Sequence, residues 1–65
     1  MKFNEQADTY ADIMTLVEWV ACVKAGCFIP DDGVGFWGTA SHYNQDADSF
    51  NLPPKGATHV HWYNK

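Results

Sequence analysis

The sequence predicts an α+β domain: one N-terminal helix packed on a small antiparallel sheet of two or three strands. Three observations carry this. Apolar residues recur at helical spacing in the first third of the chain. Two runs rich in aromatic and β-branched residues, Val34 to Tyr43 and Thr58 to Tyr63, occupy the rest. The chain has 65 residues, enough for one core, so 1–65 reads as a single domain.

The helix is expected from about residue 5 to about residue 25. Asn4 suits the N-cap, and Glu5 and Asp8 suit the positive end of the dipole. Tyr10, Ile13, Met14, Val17, Val20 and Ala21 then form one stripe at roughly 100° per residue, the core face of an amphipathic helix. Gly26 suits the position after the last turn, with Lys24 before it and Pro30 beyond. Trp19 falls on the opposite, wet side, with Leu16 and Val23 at its edge. A helix on one sheet needs a single apolar stripe, so an outlying Trp19 reads either as folded over its neighbours or as a contact residue.

Pro30-Asp31-Asp32-Gly33 is a turn by its chemistry. In the strand that follows, alternation puts Val34, Phe36 and Ala40 on one face and Trp37, Thr39 and Tyr43 on the other. Gly35 and Gly38 signal a bulge or a close backbone approach. Residues 44–56 are rich in Asn, Asp and Pro and read as a loop, with 49–52 as a short edge strand inside it. In the last strand Val60 and Trp62 face the helix. His59, His61 and Tyr63 then lie on the wet face beside Trp37 and Tyr43.

Composition narrows the function classes. Eight Asp and Glu stand against four cations, and all four are lysines, so the bidentate guanidinium contacts that read phosphate or guanine are missing. Direct nucleic-acid binding and attachment to an anionic membrane are disfavoured, while a basic protein surface suits the charge. No apolar run approaches the roughly 18 residues of a membrane span, and the first residues carry no signal-type apolar stretch. The expectation is a cytoplasmic protein with Cys22 and Cys27 reduced.

Three Trp, three Tyr and four Phe exceed what one helix and a small sheet enclose. Some rings are therefore expected at the surface, where Trp and Tyr favour interfaces. The candidate partner contacts are Trp19, Trp37, Tyr43, His59, His61 and Tyr63, with Asp46 and Asp48 in a supporting loop. The alternative is that Phe50 or Leu52 covers the His59–His61 face.

Cys22, Cys27, His59 and His61 have the chemistry of a zinc site. However, C-x4-C sits at the edge of the usual spacing, and two small buried thiols and a polar strand face account for the same residues. A disulfide between the cysteines closes a very short loop and is not expected in a reducing compartment. His42, His59 and His61 as bases, or the cysteines as nucleophiles, lack the surroundings that activate such groups. The chain is read as a non-enzyme without a cofactor or metal.

The C-terminal half carries Asp32-Gly33-x-Gly35-Phe36-Trp37-Gly38-Thr39, an acidic stretch, Pro53-Pro54, and Ala57-Thr58-His59-Val60-x-Trp62-Tyr63-Asn64-Lys65. This half resembles short accessory proteins of tailed bacteriophages. They pair a Gly-Tyr/Phe-Trp-x-Thr strand with a closing Trp-Ala-Thr-His-Val-x-Trp-Tyr/Phe-Asn-Lys strand. Gly56 stands here where that pattern has Trp. The resemblance implies a small accessory protein made in the host bacterial cytoplasm that binds a host protein and inhibits it by occlusion. It brings no catalytic or binding residues with it. The alternatives are a homodimer with a structural role and an acidic mimic of nucleic acid.

Overall fold

A computed structural model describes residues 3–65. It holds five strands and one helix: β1 (Glu5–Gln6), β2 (Asp12–Thr15), α1 (Leu16–Lys24), β3 (Gly33–Gly38), β4 (His42–Asp48) and β5 (His59–Asn64). The strands form one antiparallel sheet in the order β1-β4-β3-β5-β2. The expected sheet of two or three strands is therefore wrong, and so is the long helix over 5–25.

The helix is short because its start is fixed locally at Thr15. The Thr15 side chain accepts from the Glu18 amide, and the Glu18 carboxylate accepts from the Thr15 amide at 3.1 Å, a reciprocal capping box. This pair satisfies two amides that a helix start leaves bare. Upstream, the Asp8 carboxylate accepts from the Tyr10 amide at 2.8 Å, and Ala11 donates to the Asp8 carbonyl. That turn breaks the chain between β1 and β2. Asp12 to Thr15 then pair with Trp62 to His59, so Ile13 and Met14 serve a strand and not a helix stripe.

Residues 7–11 connect β1 to β2, which lie at opposite edges of the sheet. In a flat sheet those edges stand about 19 Å apart, and a connector containing a turn falls short of that. The sheet therefore curls, and the connector passes over its concave face, where the Asp8 main chain comes up to the Tyr63 hydroxyl.

The other face carries the main core: Met14, Trp19, Trp37, Ala47, Val60 and Trp62, with Leu16, Val23, Phe28 and Ala57 packed against it. Trp19 stacks on Phe28 at 5.5 Å and meets Trp62 at 5.7 Å, and Phe50 closes edge-on against both indoles. Large rings let a short chain bury enough apolar area to fold.

One expected loop and the edge strand expected inside it change character. Residues 42–48 form β4, so the region read as a loop over 44–56 begins as a strand. The edge strand expected over 49–52 does not form: residues 49–51 turn, with the Phe50 amide donating to the Asp48 carboxylate. The register between β3 and β4 shifts between Phe36 and Gly38, the irregularity that the glycines signalled.

Candidate functional site

Cross-strand pairing decides which side chains share a face. Trp37 lies opposite Val60 and Phe36 opposite His61. Trp37 is thus on the helix side with Trp62, and Phe36 joins the histidine face. The sequence reading had these two reversed. On the concave face Phe36 stacks on Tyr43 at 5.3 Å, Tyr43 meets His61 at 5.3 Å, and Tyr63 lies 5.7 Å from Tyr43 and 5.9 Å from Phe36.

His61 is fully buried at the centre of this cluster. Its Nε2 lies 2.6 Å from the Thr39 carbonyl. A carbonyl only accepts, so Nε2 carries the proton, and Nδ1 is the acceptor of a neutral ring. That Nδ1 is buried without a hydrogen-bond partner. Desolvation lowers the His61 pKa against the opposing pull of the Thr39 carbonyl. The Tyr63 hydroxyl is buried too and closes no hydrogen bond of good geometry. Burial and the neighbouring Tyr43 push its pKa up to about 12. Both groups are held neutral, which suits a packed interior and gives His61 no route to a substrate.

Of the expected contact residues, Trp19, Trp37 and His61 are interior and offer no surface to a partner. Tyr43, His59 and Tyr63 are half-buried, and His59 Nδ1 lies 2.9 Å from the Thr58 hydroxyl. Asp46 and Asp48 are exposed, on β4 instead of in a loop. All three indoles lie inside the main core, so surplus rings left over from a one-faced scaffold do not describe this molecule. Phe50, one expected lid for the histidines, packs on the opposite face, and Leu52, the other, projects into solvent.

The apolar surface lies elsewhere. Within α1, Leu16, Trp19 and Val23 turn to the core, which points Val17, Val20 and Ala21 outward. Val17 is 80% exposed and Val20 47%. With Leu16 and the stem of Lys24 they line one open, shallow apolar depression. The sequence reading assigned Val17, Val20 and Ala21 to the core because it phased the helix on Tyr10, Ile13 and Met14. The Thr15-x-x-Glu18 signature was the available signal that the helix begins after those residues.

Among the described residues no three His, Cys, Asp or Glu side chains converge on a common point. Cys22 and Cys27 are free thiols at the end of α1, and His61 is on the other side of the sheet. Among the described residues no helix is long and apolar enough to cross a membrane. No known protein family, curated protein or solved structure matches this chain.

Proposed function

We propose that this chain is a protein-binding domain that modulates a larger partner by occupying its surface, with the outward face of α1 as the contact. One observation supports this reading above the others. A short helix whose inner face is fully used still presents Val17, Val20 and Ala21 to water. A contiguous apolar surface with a polar rim is what interaction sites look like. Lys24 at one end and the capping Glu18 at the other supply the rim. The phage-type accessory role, the host protein as target and inhibition by occlusion belong to this proposal, as does the absence of catalysis. The sealed His61 ring favours binding over catalysis.

The test is capture from bacterial lysate on the immobilised chain, alongside a Val17→Asp/Val20→Asp variant. A specific protein retained by the native chain and lost by the variant, at unchanged near-UV circular dichroism, is the expected result. Equal capture by both, or none by either, overturns the reading.

Self-association is the second reading, and β2 favours it. This strand lies at the sheet edge and pairs with β5 on one side; among the described residues no strand pairs with its other side, which can take a further one. Sedimentation across a concentration range decides: a monomer at the highest concentration removes it.

A further inference from the structure

Two thiols meet where α1 ends, and the backbone brings them there. The Cys27 amide donates to the Cys22 carbonyl at 2.9 Å, and the Gly26 amide donates to the Val23 carbonyl at 3.1 Å. Gly26 has φ +79°. These are the two nested bonds and the left-handed residue of a Schellman cap. In that cap the side chains three residues before its left-handed glycine's predecessor and one residue after the glycine characteristically touch, as an apolar pair. Here both positions are cysteine, Cys22 and Cys27, and the Cys27 thiol is near enough to contribute to the raised Cys22 pKa. The short C-x4-C loop, which argues against a bridge in an unstructured chain, is already closed here by the main chain.

We propose that Cys22 and Cys27 form a reversible redox clip, closing to a disulfide across the C-terminal cap of α1 by exchange with a small-molecule disulfide and reopening with a thiol. The order of steps follows from exposure. Cys27 is exposed and Cys22 half-buried. Burial and the neighbouring Cys27 raise the Cys22 pKa, so the Cys27 thiolate attacks first. Attack on glutathione disulfide breaks its S–S bond, forms a mixed disulfide on Cys27 and releases one glutathione. The Cys22 thiolate then displaces the second glutathione. Two protein thiols are oxidised, one small disulfide is reduced to two thiols, and the protein protons leave on the glutathiones.

The clip lies next to the core. Phe28, directly after Cys27, stacks on Trp19 and lies 4.9 Å from Trp62. A closed bridge ties the helix end to the residue that anchors it. The clip depends on no partner and stands apart from the binding proposal.

The experiment equilibrates the full chain with glutathione redox buffers and reads intact mass. The expected product is a monomer lighter by two hydrogen atoms, with no accumulated glutathione adduct. Cys22→Ser and Cys27→Ser each give an adduct at the remaining thiol. Gly26→Ala keeps both thiols and meets no atom within 4 Å, yet it strains the cap, because alanine at positive φ costs on the order of 1 kcal/mol. It is expected to lower the closure constant by roughly fivefold. Glutathione adducts or linked dimers from the native chain overturn the proposal. So does a closure constant that is the same in Gly26→Ala and in strong urea as in the native chain.

Discussion

Gly35 lies directly across from Trp62, and the bare backbone of the glycine is the floor on which the indole rests. A methyl group built on Gly35 would stand 3.1 Å from the indole Cε3 and would collide with the Ser49 hydroxyl. Ser49 is itself buried, and its Oγ has no hydrogen-bond partner. Strand β3, indole and Ser49 therefore form three layers without slack.

Gly35→Ala is accordingly expected to destabilise the fold by about 1–3 kcal/mol, the usual cost of overpacking a tight core. Urea unfolding followed by tryptophan fluorescence measures it. A loss below about 0.5 kcal/mol, typical of unconstrained surface sites, would show that the layers give way easily.

The two faces of α1 make opposite predictions. Trp19→Ala removes an indole that touches Phe28, Phe50 and Trp62, and large-to-small changes of this kind cost about 3–5 kcal/mol. In so small a domain that unfolds most of the molecules. Val17→Ala, on the exposed face, changes stability by less than about 0.5 kcal/mol. Thermal melts of the two variants compare them directly, and a reversed order would mean the helix phase is inverted.

Acid is expected to unfold the domain through His61. Its folded pKa is lowered from 6.5, chiefly by burial, so the unfolded chain binds the proton more readily. The unfolded state then gains protons first as pH falls, and stability drops from about pH 6.5 down to the depressed folded value. His61→Gln keeps a donor for the Thr39 carbonyl and titrates nowhere in this range. Its stability should stay flatter as pH falls below 6.5 than that of the native chain. Parallel curves for the two proteins would exclude His61 as the cause.

Alkali acts through Tyr63. Burial first, and then Tyr43, raise its pKa from 10.0 to about 12. The unfolded chain loses the phenolic proton near pH 10 while the folded chain keeps it, so stability falls as pH rises from 10 to about 12. Ultraviolet difference titration should show one tyrosine ionising only with unfolding. Tyr63→Phe should remove that late step and weaken the alkaline loss of stability.

Several elements are legible in the chain itself. Thr58 to Tyr63 announces a strand by composition, Pro30 to Gly33 a turn, and Gly26 the end of the helix. These are short-range preferences of backbone and side chain, and they act within a few residues of themselves. Thr15 and Glu18 were equally local, and they state where the helix begins. Val34 to Tyr43 reads as one strand but folds back after Gly38, so that Tyr43 pairs with Gly38 across β3 and β4.

Tertiary structure decided the rest. Alternation says that Phe36 and Trp37 face opposite ways, but only pairing with β5 says which of them meets the helix. Val17 and Trp19 likewise sit on two apolar sides of a nine-residue helix, and the side that turns inward is the one whose indole finds Phe28 and Trp62. A pattern along one strand or helix has a period but no absolute phase. The phase is set by the surface packed against it, and that surface comes from residues distant in sequence.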